Sequence, residues 1–154
     1  MGYISTLSTD ALPYIWEVVG NAGNLRATPI AGTWSYTSIV GNGWSVEELE
    51  NPVTHAQNDA IALGSFFVPE QADYTAYVHF SKDTDRGELH LFINGVNVGS
   101  IDQYAGATAY NEIDTITIAS LTKGAKEISI KAVDKNAASS SYIIGVQTLV
   151  IAKD

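Results

Sequence analysis

The chain has 154 residues, with 17 acidic against 8 basic side chains, a formal net charge of −9 and no cysteine. The missing cysteines exclude a disulfide framework and thiolate metal sites, and the acidic balance argues against nucleic acid and anionic membrane as partners. Apolar residues make up 45 % and charged residues 16 %, with eight Tyr and 13 Gly, which suits a single all-β domain large enough to bury a core.

Residues 1–31 read as an N-terminal arm and residues 32–154 as the main domain. The arm lacks the basic-then-apolar layout of a signal peptide, and no apolar run anywhere reaches the roughly 18 residues that span a bilayer. Met1-Gly2 with Thr6 matches a myristoylation pattern only formally. Asp10 is a candidate cap for a short helix carrying Leu12, Ile15, Trp16 and Val19 on one face, with Pro13 in the first turn and Gly20 at the end. That apolar face is expected to dock the arm, either on the open end of its own domain or on a neighbouring subunit. Asn21 to Ala31 then reads as loop.

Thr33 to Val40 is the first strand, with Trp34 and Tyr36 on one face. Gly41-Asn42-Gly43 turns into a short strand from Trp44 to Leu49, which Asn51-Pro52 ends. Ala60 to Val68 is apolar almost throughout and reads as a central strand, stopped by Pro69. Tyr74 to Ile101 reads as a three-stranded meander. The expected register pairs Ser81 with Glu88 across Lys82–Gly87 and Ile93 with Val96 across Asn94-Gly95, a strong hairpin signal. It puts Val78, Phe80, Leu89, Leu91, Ile93, Val96 and Val98 on a core face. The other face then carries Tyr77, His79, His90, Phe92 and Asn97, with His79 opposite His90. Asp102 to Asp114 reads as loop, Thr115 to Leu121 and Lys126 to Val133 as strands, and Tyr142 to Ile151 as the last and longest strand. About eight strands at this spacing predict an antiparallel jelly-roll β-sandwich.

The acids sit mostly in turns, where Asp serves local hydrogen bonding, and no G-x-S-x-G elbow is present. Ser65, His79 and Asp85 form a triad only on paper, so the chain reads as a non-enzyme. No cofactor is expected. His79 and His90 with Glu88 could in principle take zinc, and Asp83, Asp85 and Glu88 calcium, but no ligand spacing supports either. The face of Tyr77, His79, His90, Phe92 and Asn97 is the candidate site. Aromatics beside amides suit stacking on sugar rings; they also suit a protein–protein interface, which is rich in aromatics and poor in charge, and a face between protomers is favoured over a glycan platform, with simple core burial as the remaining alternative.

From Asp85 onward the sequence carries Arg86-Gly87, Asn94-Gly95, Val98-Gly99, Ile101-Asp102 and Tyr104, then Lys135-Asn136-Ala137 with Ser139, Ser140 and Tyr142. This pattern resembles a module recurring in surface proteins of tailed-bacteriophage virions, and covers about Asp59 to the C-terminus. The resemblance implies a jelly roll like that of carbohydrate-binding modules, and a trimeric homo-oligomer attached to other virion proteins. It implies a place on the virion surface after synthesis in the host cytoplasm, and brings no catalytic residues. With no fibrous shaft in the chain, a capsid decoration protein is favoured over a tail fibre, and a receptor-binding or other module recognising surface glycans is the alternative.

Overall fold

A computed structural model, which describes residues 15–17, 27–41 and 44–154, shows an antiparallel β-sandwich of the jelly-roll kind. The described strands are β1 (Ile15–Glu17), β2 (Thr28–Ala31), β3 (Ser35–Gly41), β4 (Trp44–Glu50), β5 (Ala60–Val68), β6 (Ala72–Lys82), β7 (Glu88–Ile93), β8 (Val96–Asp102), β9 (Ala109–Leu121), β10 (Gly124–Asp134), β11 (Gly145–Val146) and β12 (Thr148–Lys153). The first sheet runs β1-β12-β6-β9, the second β2-β5-β10-β7-β8, and a small third sheet joins β11 to the β4-β3 hairpin.

Period-two alternation puts every second side chain inward. Ala76, Val78 and Phe80 of β6, Ile116 and Ile118 of β9, and Leu149 and Ile151 of β12 form the inner face of the first sheet. Leu89, Leu91 and Ile93 of β7 and Ile128, Ile130 and Ala132 of β10 meet them from the second. Each large apolar side chain buried there stabilises by roughly 1.5–3 kcal/mol before chain entropy is counted. Gly99 marks how closely the sheets approach: a Cβ built on it would lie 2.5 Å from Cγ2 of Ile116 on β9.

The expected core residues Val78, Phe80, Leu89, Leu91 and Ile93 are buried, but they face one another from opposite sheets. β6 pairs with β9 and β12, while β7 pairs with β8 and β10. The predicted pairing of Ser81 with Glu88, and hence of His79 with His90, does not form. The cause lies in the connection itself. Arg86 is buried beside carboxylates from β4 and forms an isolated bridge with Ile143, which carries the chain across the sandwich instead of back along β6. The Asn94-Gly95 hairpin forms, with Ile93 opposite Val96. A bulge between Leu91 and Phe92 then sets Leu91 against Gly99, and Val96, expected in the core, is 64 % exposed at the hairpin's end.

In the arm, Ile15–Glu17 are extended and pair with Val150–Ala152 of β12, so the helix expected here is replaced by an edge strand over these residues. A helix of about ten residues is marginal alone, whereas a free sheet edge offers ready backbone partners. Leu12, Val19 and the proposed caps Asp10 and Gly20 lie outside the described residues, as do Asn42 and Gly43. Thr28–Ala31, read as loop, is the edge strand of the second sheet, where Pro29 is tolerated. β9 begins at Ala109, inside the expected Asp102–Asp114 loop. The final stretch is not one long strand: it changes sheet between Val146 and Thr148.

Candidate functional site

The five predicted site residues divide between the two outer faces of the sandwich. On the first sheet, Tyr77 and His79 point outward from β6. Register places Thr148, Val150 and Ala152 of β12 opposite His79, Tyr77 and Thr75, and Ile113, Thr115 and Thr117 of β9 on the other side of the same three residues. The result is a grid of three rows and three columns that contains no Asp, Glu, Lys or Arg. Tyr77 at its centre is 44 % exposed and Ile113 is 60 % exposed. At its margin Thr75 Oγ1 donates to Asp154 Oδ1 at 2.7 Å.

His90, Phe92 and Asn97 lie on the outer face of the second sheet, on β7 and β8. Asn97 Nδ2 donates to His90 Nδ1 at 2.9 Å, and Asn97 Oδ1 accepts the Gly99 N–H at 3.0 Å. His90 Nε2 is 3.5 Å from Glu88 Oε1, which also accepts the hydroxyl of Ser100. Opposite His90 on the neighbouring strand stands Lys131. This face is charged, and its polar groups largely bond to one another, although His90 Nε2 is buried without a hydrogen-bond partner. The zinc arrangement of His79, His90 and Glu88 is not assembled, because the two imidazoles belong to different sheets. Ser65 and His79 are separated in the same way. For the calcium arrangement, Asp83 accepts from Thr108 Oγ1 at 2.7 Å and from the Thr84 N–H at 2.7 Å. Partial burial pushes Asp83 up, but these hydrogen bonds outweigh it and hold the carboxyl below its usual range. Among the described residues no group of three His, Cys, Asp or Glu side chains could hold a metal ion.

A buried ionic cluster went unread in the sequence. Glu48 and Glu50 of β4 flank Arg86, and all three are nearly inaccessible. Arg86 Nη1 lies 2.9 Å from Glu48 Oε1, at ion-pair distance though not aligned as a hydrogen bond, while Nη2 donates to Glu50 Oε1 and to Ser81 Oγ at 3.1 Å. Glu48 Oε2 also accepts the Ser81 N–H at 3.0 Å and Gln147 Nε2 at 2.8 Å. Burial drives the Glu48 carboxyl up, and Arg86 only partly offsets it. The sole signal in the sequence was the spacing of two acids on alternate positions of an otherwise amphipathic strand, which usually means a solvated face.

The repeated motif also has a structural reading. Gly87 donates to the Ile143 carbonyl at 2.7 Å and accepts from the Gln103 N–H at 3.1 Å, and a Cβ on it would press against the Tyr142 backbone. Asp102 accepts from the Tyr104 N–H at 2.9 Å and from Asn136 Nδ2 at 3.1 Å. Lys135 Nζ sits 5.4 Å from the centre of the Tyr142 ring. These residues lock the connections at one end of the sandwich.

No family model and no curated protein matches the sequence. Solved structures do match the fold. A carbohydrate-binding module, CBM36-1, of a xylanase from the hindgut metagenome of Trinervitermes trinervoides superposes with a TM-score of 0.59 at 15 % identity, over 92 % of this chain and 98 % of that one. The module CBM6cm-2 of Cellvibrio mixtus lichenase 5A, solved with cellotriose, gives 0.54 at 15 % identity over 79 % and 87 %. A Paenibacillus xanthan lyase gives 0.62 at 22 % identity over 93 % of this chain, which spans only 13 % of the lyase. The fold is that of carbohydrate-binding-module sandwiches. At these identities the likeness speaks to fold alone.

Proposed function

We propose that the chain is a non-catalytic carbohydrate-binding module whose platform is the outer face of β12, β6 and β9, centred on Tyr77. The observation that carries this reading is the nine-residue grid without a charge, in a chain whose net charge is −9. A half-exposed Tyr on a flat strand offers its ring to the C–H face of a sugar, and the flanking Thr hydroxyls and His79 supply hydrogen bonds to its hydroxyls. The modules of like fold named with cellotriose, and with calcium and xylotriose, support sugar recognition by this architecture. Screening on a glycan array tests it. Binding by the wild type that drops at least tenfold in Tyr77→Ala is the expected outcome; no glycan bound by either protein rejects the reading.

A second reading uses the same face as a contact between protomers on a bacteriophage particle, as a trimeric capsid decoration protein or part of a tail fibre. Ile113, exposed beside His79, favours it, since an apolar side chain next to aromatics is what an interface core carries. Light scattering at micromolar concentration decides: a trimer that Ile113→Asp breaks into monomers is expected here, and a monomeric wild type counts against it.

A further inference from the structure

Away from both outer faces, a pocket of about 160 Å³ opens where the edge of the second sheet meets the small third sheet. Pro29 of β2 and Ile61 of β5, paired across the second sheet, line one side. Tyr36 of β3 and Leu49 of β4, paired across the hairpin, line the other. Trp34 and Ser35 complete the wall. The pocket shares no residue with the Tyr77 grid.

We infer that this pocket is a second ligand subsite, sized and lined for a single neutral pyranose ring. Size comes first. A cavity of about 150 Å³ in another protein takes one benzene molecule, so this one, which is open to solvent on one side, has room inside it for about one six-membered ring. Lining comes second. An indole and a phenol stand over an aliphatic floor, a lining suited to the C–H face of a sugar ring. Charge comes third. Among the described residues no cationic side chain lines the pocket, and Glu47 lies near enough to Tyr36 to add to the effect of burial in raising its hydroxyl's pKa. An anionic sugar finds no counter-charge among them.

The aromatic wall is also held before any ligand arrives. Trp34 Nε1 donates to the Ala31 carbonyl at 2.9 Å, and the Thr33 N–H donates to Thr54 Oγ1 at 2.9 Å. Thr54 Oγ1 in turn donates to Asp59 Oδ2 at 2.6 Å, which also accepts Asn51 Nδ2 at 2.8 Å and the Ala56 N–H at 3.0 Å. Gly32, at φ +82°, turns the chain against that carboxylate, where any Cβ would collide with it. A wall fixed in this way loses little freedom on binding.

The choice of a sugar as ligand rests on the reading of the chain as a carbohydrate-binding module; the geometry of the pocket does not. The test is NMR titration of the full chain, following the Trp34 indole N–H. The probes are the methyl glycosides of glucose, xylose, galactose and mannose, with methyl glucuronide as the charged control and p-cresol as an aromatic probe. At least one neutral glycoside is expected to shift the Trp34 signal, with the glucuronide at least tenfold weaker. In a Tyr77→Ala background, which removes the other proposed sugar site, saturation-transfer signals to that glycoside should fall at least tenfold on adding Trp34→Ala, and also on adding Ala27→Phe, which fills the pocket without removing its aromatics. Tyr77→Ala alone should leave the shift of the Trp34 indole signal unchanged. The inference is overturned if no glycoside shifts that signal at tens of millimolar, if p-cresol shifts it and no glycoside does, or if binding survives in a folded double variant. Loss of array binding in Tyr77→Ala with an intact Trp34 response, or the reverse, separates the fate of this pocket from that of the face.

Discussion

The two outer faces of the sandwich come from neighbouring stretches of chain and have different chemistry. On the second sheet, Asn97, His90, Glu88 and Ser100 form a linked set of polar contacts, with Lys131 alongside. Such a face is stable in water as it stands. On the first sheet, Tyr77 and Ile113 stand exposed among Thr, Val and Ala, with no charge in the grid. Exposed apolar groups that adjoin one another mark binding surfaces far better than scattered ones do. The contrast is why the proposed platform is the first face, although Phe67 and Val96 of the second sheet are exposed too.

That contrast depends on the sheets being held in register, and the largest effect is expected where it is broken. Arg86→Met leaves Glu48 and Glu50 buried together without a cation, and should cost on the order of 3–5 kcal/mol in urea unfolding. Both faces should fail together. Gly99→Ala tests the closest approach of β8 to β9, and is expected to lower stability by about 1–3 kcal/mol through overpacking against Ile116. Next in size is the dependence on acid. The Glu48 carboxyl is raised in the folded state, so that state binds its proton more tightly than the unfolded chain does. Its contribution should therefore stabilise as the pH falls from neutral through the raised value, and level off below about 4.3, the ordinary carboxylate range. Asp83 runs the opposite way: it is lowered, so its contribution is present above the ordinary Asp value and lost as the pH drops through the folded one. A rise in thermal midpoint between pH 7 and pH 5, flattened in Glu48→Gln, is the expected measurement; an unaltered slope in that variant would assign the effect elsewhere. The smallest effects sharpen the comparison directly. Tyr77→Ala should change stability by about 0.5 kcal/mol or less, as surface substitutions do, and His90→Ala, which removes the partner of Asn97 Nδ2, by about 1 kcal/mol. Only Tyr77→Ala should change glycan binding on the array.

Local chemistry was legible in the sequence wherever it decided the outcome. Asn94-Gly95 specified its hairpin, and alternation named Val78, Phe80, Leu89, Leu91 and Ile93 as core. What could not be read was which sheet each strand joins. Lys82–Gly87 looked like a hairpin turn because its Asp and Gly residues suit one. The chain crosses over there because Arg86 pairs with acids on β4, far upstream in sequence, and no local pattern encodes that. One consequence is that Tyr77 and His90 share a parity and not a surface. The Trp34 and Tyr36 wall was half visible, since both were expected on one face, but the pocket needed Pro29 and Ile61 from segments read as loop and central strand. Over Ile15 and Trp16 the helical spacing lost to the open edge of β12.

The change of sheet after Val146 also bears on how the molecule is made. β11 completes the third sheet, and two residues later β12 enters the first sheet between β1 and β6. A chain emerging from the ribosome therefore lacks an interior strand of one sheet until Thr148–Lys153 have been made. Pairings this distant along the chain close slowly, because the entropy of the loop is lost before the contacts compensate it. Until then the inner face of β6 has no neighbour on one side, which leaves an unpaired strand edge in the nascent chain. Folding to the final state should thus wait for Thr148–Lys153, and a chain cut before Thr148 should aggregate instead of giving a shortened domain.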